Sequence, residues 1–311
     1  MSFEFNRDET IEHAVRRISR AHIDEIIADI TGKRRIGRDR AIHESRKRLK
    51  RLRAMLRLLR DAVNRSARRR ENEFLRESGR ALSAARDAAV LVEAFDELLK
   101  NSGERVQAMA IGRVRAKLLA RRRAAAREQN EKGIGDLLRS LRQCKRRMTS
   151  GKIKRKDFAA LRGGLRHTFR RGRAAFDIAL YDRDPVKLHE WRKIVKQLWH
   201  QIELLEPIWP DVLRQLGDKL HALADCLGED HDLAVLREVL IDEREAFDNQ
   251  DDLETLTALI AARRGELQQA AMQLGTRIYD EKPATFIERM ENYWNAWRAG
   301  EGAESETAMT T

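Results

Sequence analysis

Apolar residues recur along this chain at intervals of three and four, and no long run of Val, Ile, Tyr or Thr alternates with polar positions. That pattern predicts amphipathic helices and argues against strands. Start and stop signals divide it. Asp8-Glu9-Thr10 opens a helix that closes near Thr31-Gly32, a basic loop follows from Lys33 to Arg38, and a second helix runs from about Asp39 to Val63. Further helices are expected at roughly 67–84, 86–100 and 104–129, each boundary good to a few residues. Gly133 to Lys156 is basic and broken by glycine, and reads as a connector with a short helix near 135–148. Helices follow at roughly 157–180, from Pro185 to just before Pro207, and near 211–227, 230–247, 252–275 and 283–298. Pro185 suits the first turn of its helix, where the missing N–H would have no partner in any case. The tail from Gly300 to Thr311 is small and polar and is expected to be disordered. The fold class is all-α.

Two of these helices repeat one motif. Ile42-His-Glu-Ser-Arg-Lys-Arg-Leu-Lys50 and Leu188-His-Glu-Trp-Arg-Lys-Ile-Val-Lys196 both read apolar-His-Glu-x-Arg-Lys-x-x-Lys, 146 positions apart. Downstream, Leu82 to Leu91 matches Leu227 to Leu236, with Leu82/Leu227, Asp87/Asp232, Ala89/Ala234, Val90/Val235 and Leu91/Leu236 identical at an offset of 145. Two motifs in the same order at nearly the same spacing indicate an internal duplication. The chain then divides into a first helical half over 8–133, the connector over 134–156, a second half over 157–298 and the tail over 299–311. The repeat argues for two packed halves rather than two independent units.

On a wheel of about 100° per residue with His43 at zero, the cations Arg46, Lys47, Lys50, Arg53 and Arg57 all fall between about −80° and +40°. Ile42, Leu49, Leu52, Met55, Leu56 and Leu59 occupy the other side, and Arg48, Arg51 and Arg60 lie outside the cationic stripe. The second copy puts His189, Arg192, Lys193, Lys196 and His200 on the corresponding face, opposite Leu188, Val195, Leu198, Ile202 and Leu205. It is the weaker stripe, with Trp199 in place of Arg53 and Glu203 in place of Arg57. A solvated helix face normally interleaves charges of both signs, whereas neighbouring like charges repel by a few tenths of a kcal/mol per pair. A repulsion kept in both copies suggests an anionic ligand that offsets it. If the halves face each other about an approximate two-fold, the stripes line opposite walls of one groove or pore.

Composition sharpens this. Abundant Ala, Leu, Arg and Glu with only four prolines suit helices. The net charge of +13 hides a polarity: residues 1–200 carry 53 Lys and Arg against 26 Asp and Glu, while residues 201–311 carry 10 against 24. Such a field attracts polyanions, whether nucleic acid, polyphosphate or an anionic membrane. Two cysteines, Cys144 and Cys226, make neither a disulfide framework nor a metal motif. No secretory signal and no stretch of about 18 apolar residues is visible, so a cytoplasmic protein is expected.

With these residues in view, the chain resembles the CHAD family of conserved-histidine α-helical domains. The family pattern of apolar-His-x-x-Arg-x-x-x-(Lys/Arg)-(Lys/Arg)-Leu-Arg is met by His43, Arg46, Lys50, Arg51, Leu52 and Arg53, and its second histidine motif by His189, Arg192 and Lys196. Arg86-Asp87 and Leu227-Gly-Glu-Asp-His-Asp232 resemble a further element of the family. The resemblance spans about residues 8 to 298. It implies two four-helix up-and-down bundles related by a pseudo-two-fold, and a basic central channel that binds long-chain inorganic polyphosphate. It further implies association with polyphosphate granules and sometimes with storage-polyester granules. No Glu-x-Glu-x-Lys hallmark of a triphosphate-tunnel domain occurs, so the chain looks like a stand-alone member.

Polyphosphate is charged on every unit and has no bases to stack or read. A binder therefore needs dense arginine, with forked donors, and lysine, a mobile point charge. The candidate binding set is His43, Arg46, Lys47, Lys50, Arg53, Arg57, His189, Arg192, Lys193 and Lys196. Further candidates are Arg20, Arg51, Arg113, Arg166, Arg170 and His200. Aromatic residues make up only 5% of the chain and none interrupts the first stripe, against a base-stacking single-strand binder. Non-specific nucleic-acid binding remains the alternative, through Arg113, Arg115, Lys117, Arg121, Arg122, Arg123 and Arg127 and the run from Lys145 to Lys156. A third reading is a granule scaffold whose acidic C-terminal half recruits a basic protein.

Catalysis has less support. His43 and His189 sit among cations, with Glu44 and Glu190 about 100° away, a poor metal site. The His231-Asp232 dipeptide lacks the partners a metal phosphohydrolase needs, and the match of Asp87 to Asp232 favours helix capping or pairing with a motif arginine. There is no phosphate-cradling glycine loop, nucleophile elbow or carboxylate cluster for magnesium. Binding without turnover, with no metal or cofactor, is the expectation.

Overall fold

The computed structural model describes residues 2–82, 84–100, 108–127, 131–246 and 250–300, the side chains of 84–88, 108–110, 125–127, 131–133, 246 and 250 excepted. Among the described residues the chain is all-α: α1 (Ile11–Ile30), α2 (Arg38–Leu58), α3 (Arg65–Ala81), α4 (Ala84–Lys100), α5 (Ala108–Arg127), α6 (Glu131–Ser150), α7 (Arg162–Tyr181), α8 (Pro185–Leu205), α9 (Pro210–Asp242), α10 (Gln250–Ile278) and α11 (Pro283–Ala299), with three short 3-10 turns. The expectation for the tail, and the side chain of Asp87, fall outside the described residues.

Local chemistry places the ends. Thr10 caps α1 by accepting from the His13 N–H (3.2 Å), and Asn64 caps α3 by accepting from Ser66 and Ala67 (3.0 and 3.2 Å). Asp184 caps α8 by accepting from Val186 (2.9 Å) and Lys187 (3.3 Å), with Pro185 in the first turn.

The apolar stripes of α2 and α8 are buried throughout: Ile42, Leu49, Leu52, Met55, Leu56 and Leu59 on one, Leu188, Val195, Leu198, Ile202 and Leu205 on the other. Each such side chain contributes roughly 1.5–3 kcal/mol of burial. They belong to one large core that also takes Phe5, Phe158, Phe169, Trp191, Phe286 and Trp294. A smaller core joins Val92, Phe95 and Leu98 of α4 and Val114 and Leu118 of α5 to Leu233, Leu236 and Leu240 of α9 and Leu256, Ile260 and Leu267 of α10. The hydrophobic interior therefore does not follow the two halves of the repeat, because α9 and α10 each run through both cores.

Two expectations are corrected. The connector is a 20-residue helix, α6, whose Leu141, Cys144 and Met148 enter the large core. Its apolar stripe outweighs its glycines, which lower helix propensity by about 1 kcal/mol each without ending a helix. The helices expected at 211–227 and 230–247 are one continuous helix of 33 residues. Gly228 marks a close approach there, since a Cβ at this position would lie 3.0 Å from Arg192 Nη2.

Candidate functional site

α2 and α8 meet along their motif faces. Arg57 Nη1 donates to Gln197 Oε1 (2.5 Å), and Gln201 Nε2 donates to the buried carbonyl of Ala54 (3.2 Å). Arg51 forks onto Glu203, with Nε to Oε2 at 3.1 Å and Nη2 to Oε1. At the 146-residue offset Gln197 is the counterpart of Arg51, and Glu203 of Arg57. The Arg51–Glu203 and Arg57–Gln197 contacts therefore join the same two motif positions with the helices exchanged, the reciprocity that a local two-fold produces.

Beside this contact lies a cavity of about 510 Å³. Arg46, Lys50, Arg53 and Arg57 line it from α2, and His189, Arg192, Lys193 and Lys196 from α8. Arg76 and Arg80 of α3 and Arg171 of α7 close it, over a floor that includes Leu49, Ala54, Leu75 and Ile194. Glu190 is the one carboxylate among these described lining residues, and Lys193 Nζ holds it at 2.6 Å. Arg76 and Arg80 share Glu77, at 2.9 and 3.2 Å. Arg53, Arg57, Arg171, Arg192 and Lys196 make no ion pair with a carboxylate among the described residues.

The proton affinities record that imbalance. Burial, then Arg53, Arg171, Arg68 and Arg76, push the Arg57 guanidinium down to about 10. Arg53 is lowered by burial and by Arg76, and Lys196 by burial and by Arg192, partly offset by Asp225 and Asp232, with Arg46 adding a smaller push. His189 falls to about 4 through burial, the His231 ring 4.0 Å away, Lys193 and Arg192. The Arg57, Arg53 and Lys196 shifts mark charges held among like charges with too little solvent or counter-charge, and the His189 shift favours its neutral ring. An anion placed in the cavity would supply the missing counter-charge.

Eight of the ten residues of the predicted binding set thus come together in one wall system, joined by His200 of the further candidates, and the others do not. His43 is exposed and Lys47 half-buried on α2, and neither lines the cavity. His200 lies in the wall but is only 3% exposed, its Nδ1 3.0 Å from Glu203 Oε2. Burial lowers His200, while hydrogen bonds from His200 and Arg51 hold the Glu203 carboxyl down at about 2 against its own burial. Arg51 is thereby committed to Glu203. Glu203 is taken up by these two partners and puts no charge in the cavity wall, and Trp199 stacks on His200 at 4.6 Å. Arg20, Arg166 and Arg170 are exposed on α1 and α7, and Arg113 is half-buried on α5.

Arg76, Arg80 and Arg171 were not in the predicted set. A signal for two of them existed: Arg68, Asn72, Arg76 and Arg80 recur every four residues along one face of α3. Asn72 Oδ1 accepts from Arg53 Nε (3.4 Å), so this row faces the α2 stripe. The capping role expected at Asp232 does not occur, because α9 runs through it; Asp232 instead acts electrostatically on Lys196. Its neighbour Asp230 is buried and accepts from Arg264 Nε (2.9 Å) and Gln268 Nε2 (2.8 Å), tying α9 to α10. Among the described residues no group of three or more His, Cys, Asp or Glu could hold a metal ion, and no helix is long and apolar enough to cross a membrane.

Comparison with known proteins gives a family match to the CHAD domain over residues 17–241. No curated protein matches the sequence. Among solved structures the chain is similar to PptA from Streptomyces chartreusis, at a TM-score of 0.63 and 14% identity, covering 88% of this chain and 100% of that one. It is also similar to the CHAD domain from the plant Ricinus communis, at a TM-score of 0.51 and 19% identity, covering 95% of each chain. At these identities the likeness is one of fold.

Proposed function

Because the chain belongs to the CHAD domain family, we propose that it binds long-chain inorganic polyphosphate in the cavity between α2 and α8, without turning it over, and is carried by it to polyphosphate granules. The observation that carries this reading is the set of wall cations without carboxylate partners: Arg53, Arg57, Arg171, Arg192 and Lys196. Such a set suits a ligand with charge at every repeat. Arginine supplies paired donors to neighbouring phosphate oxygens and lysine follows with a single mobile charge. Cleavage of a phosphoanhydride would need a group to deliver water, and the lining carboxylate, Glu190, is already bonded to Lys193.

Nucleic acid fits less well, because six of the cations that would form its surface are engaged with carboxylates. Arg115 is paired with Asp96 (2.8 Å), Lys117 and Arg121 with Glu243 (2.6 and 2.7 Å), Arg122 with Asp39 (3.4 Å), Lys145 with Asp24 (2.6 Å) and Arg147 with Glu71 (2.7 Å). A competition titration at fixed physiological salt tests the choice. Long-chain polyphosphate should outbind duplex DNA by at least about tenfold, or 1.4 kcal/mol, and parity would retire the reading. Polyphosphate incubated with the protein and magnesium should keep its length on a gel. In cells unable to make polyphosphate the protein should lose its granular distribution.

A further inference from the structure

The cationic surface does not stop at the cavity wall. Arg171, which lines the cavity, is one helical turn from His167 on α7. At the start of α7 the helix presses on the end of α2: a Cβ on Gly163 would lie 1.8 Å from Asp61 Oδ2, and one on Gly164 1.8 Å from the Leu58 carbonyl oxygen. At Gly164, which meets backbone, only glycine allows that approach, and it sets His167 and Arg171 beside Arg57 and Arg60. From the other side, the four-residue row of α3 continues from Arg80 and Arg76 at the cavity back to Arg68 in the first turn. Arg68 Nε is buried and has no hydrogen-bond partner among the described residues.

Electrostatics join these residues into one patch. Arg171 and Arg68 both act on Arg57, Arg60 and Arg65 act on Arg68, and Arg60, Arg171 and Arg170 act on His167. Against these cations stands Asp61, 3.4 Å from Arg60 Nε. Arg60 falls outside the stripe on a helical wheel, but α2 ends at Leu58, so wheel geometry no longer says where it points.

We propose that Arg60, Arg68 and His167 form a second polyanion subsite, continuous with the cavity through Arg57 and Arg171, that takes the chain of a polyphosphate too long for the cavity alone. The proposal rests on the cavity being the polyphosphate site, and it assigns this chain's preference for long over short polymers to residues outside that cavity. Tripolyphosphate is short enough to be held by the cavity residues and should ignore the subsite; a long chain should use both. The subsite also gives the polymer a direction, leaving the cavity past α7.

The test measures affinity for tripolyphosphate and for long-chain polyphosphate at one salt concentration, for the wild type and the triple variant Arg60→Ala, Arg68→Ala, His167→Ala. Long-chain affinity should fall at least about tenfold with a shallower salt dependence, and tripolyphosphate affinity by less than about threefold. Unchanged long-chain affinity, or an equal loss for both ligands, overturns the subsite. Wild-type protein that binds neither ligand would instead sink the polyphosphate reading of the cavity. A measurement that needs no variant uses an arginine-specific dicarbonyl reagent on the wild type. Long-chain polyphosphate should protect Arg60 and Arg68 while tripolyphosphate does not, and equal labelling under both would overturn the subsite.

Discussion

Arg57 and Lys196 are half-buried cations whose environment makes their charge harder to hold, and both sit in the wall of the same cavity. Arg48 on the same helix is their opposite: it is 8% exposed and donates to Asp29 Oδ2 at 2.8 Å and Glu25 Oε2 at 2.5 Å. The first kind of residue is a candidate for a ligand, and the second serves the fold. Replacing Arg46, Lys50, Arg192 and Lys196 together by Ala should cut polyphosphate affinity by at least about a hundredfold and leave helicity intact, because none of the four is buried in the core. Arg48→Ala should leave affinity unchanged but cost roughly 1–3 kcal/mol in denaturant unfolding, since it leaves the buried Asp29 carboxylate with Arg34 at 3.3 Å in place of two cations. Equal losses of affinity from both would mean that only net charge counts.

His22 tests the interior at the same scale. It is 1% exposed, neither ring nitrogen has a hydrogen-bond partner among the described residues, and burial followed by Arg51 lowers it to about 4. The folded value lies below the unfolded one, so the unfolded chain takes up the proton first. The stability this histidine contributes is therefore complete above its ordinary pKa of 6.5 and is lost as pH falls toward 4. His22→Leu should flatten the fall of melting temperature between those two values, and an unchanged profile would place the acid sensitivity elsewhere.

Helices, as whole elements, carry constraints that single residues do not show. α9 passes through Gly228 without a break and lays its backbone against the Arg192 guanidinium, so the glycine positions a cavity cation. Gly228→Ala should add up to about 1 kcal/mol of helix propensity while pushing Arg192 aside. Melting temperature should hold or rise as polyphosphate affinity falls several-fold. Affinity that stays at the wild-type level would show that Arg192 swings clear at no cost. α6 makes the same point about glycine from the other side, since its Leu141, Cys144 and Met148 are buried although Gly133 and Gly135 open the helix.

In the whole molecule, one large core unites both halves of the repeat, while Arg53, Arg57, Arg171, Arg192 and Lys196, which make no ion pair with a carboxylate among the described residues, share one cavity. The free protein thus folds against its own repulsion, and salt and ligand should act in opposite senses. Raising salt screens the cavity and should increase the melting temperature of the free protein. The same salt weakens polyanion binding, so the extra stability given by saturating polyphosphate should shrink. Thermal melts across a salt series, with and without polyphosphate, measure both slopes. Parallel slopes would mean that the cavity does not hold the polyanion.

The helical class, the duplication and the cation stripes of α2 and α8 were legible in the sequence, because helix periodicity and repetition are local properties that any window of the chain displays. Eight cavity residues followed from that reading alone. Arg76, Arg80 and Arg171, the continuity of α9 and the packing of α6 did not, because each depends on which helix lies beside which. A glycine signals a possible break, yet whether it ends a helix or admits a neighbour's guanidinium is settled by the neighbour. Likewise a charge seen along the chain says nothing about its counter-charge: the helical wheel set Arg48 apart from Arg53, but only packing gave Arg48 the buried carboxylate of Asp29 and turned Arg53 to the cavity wall.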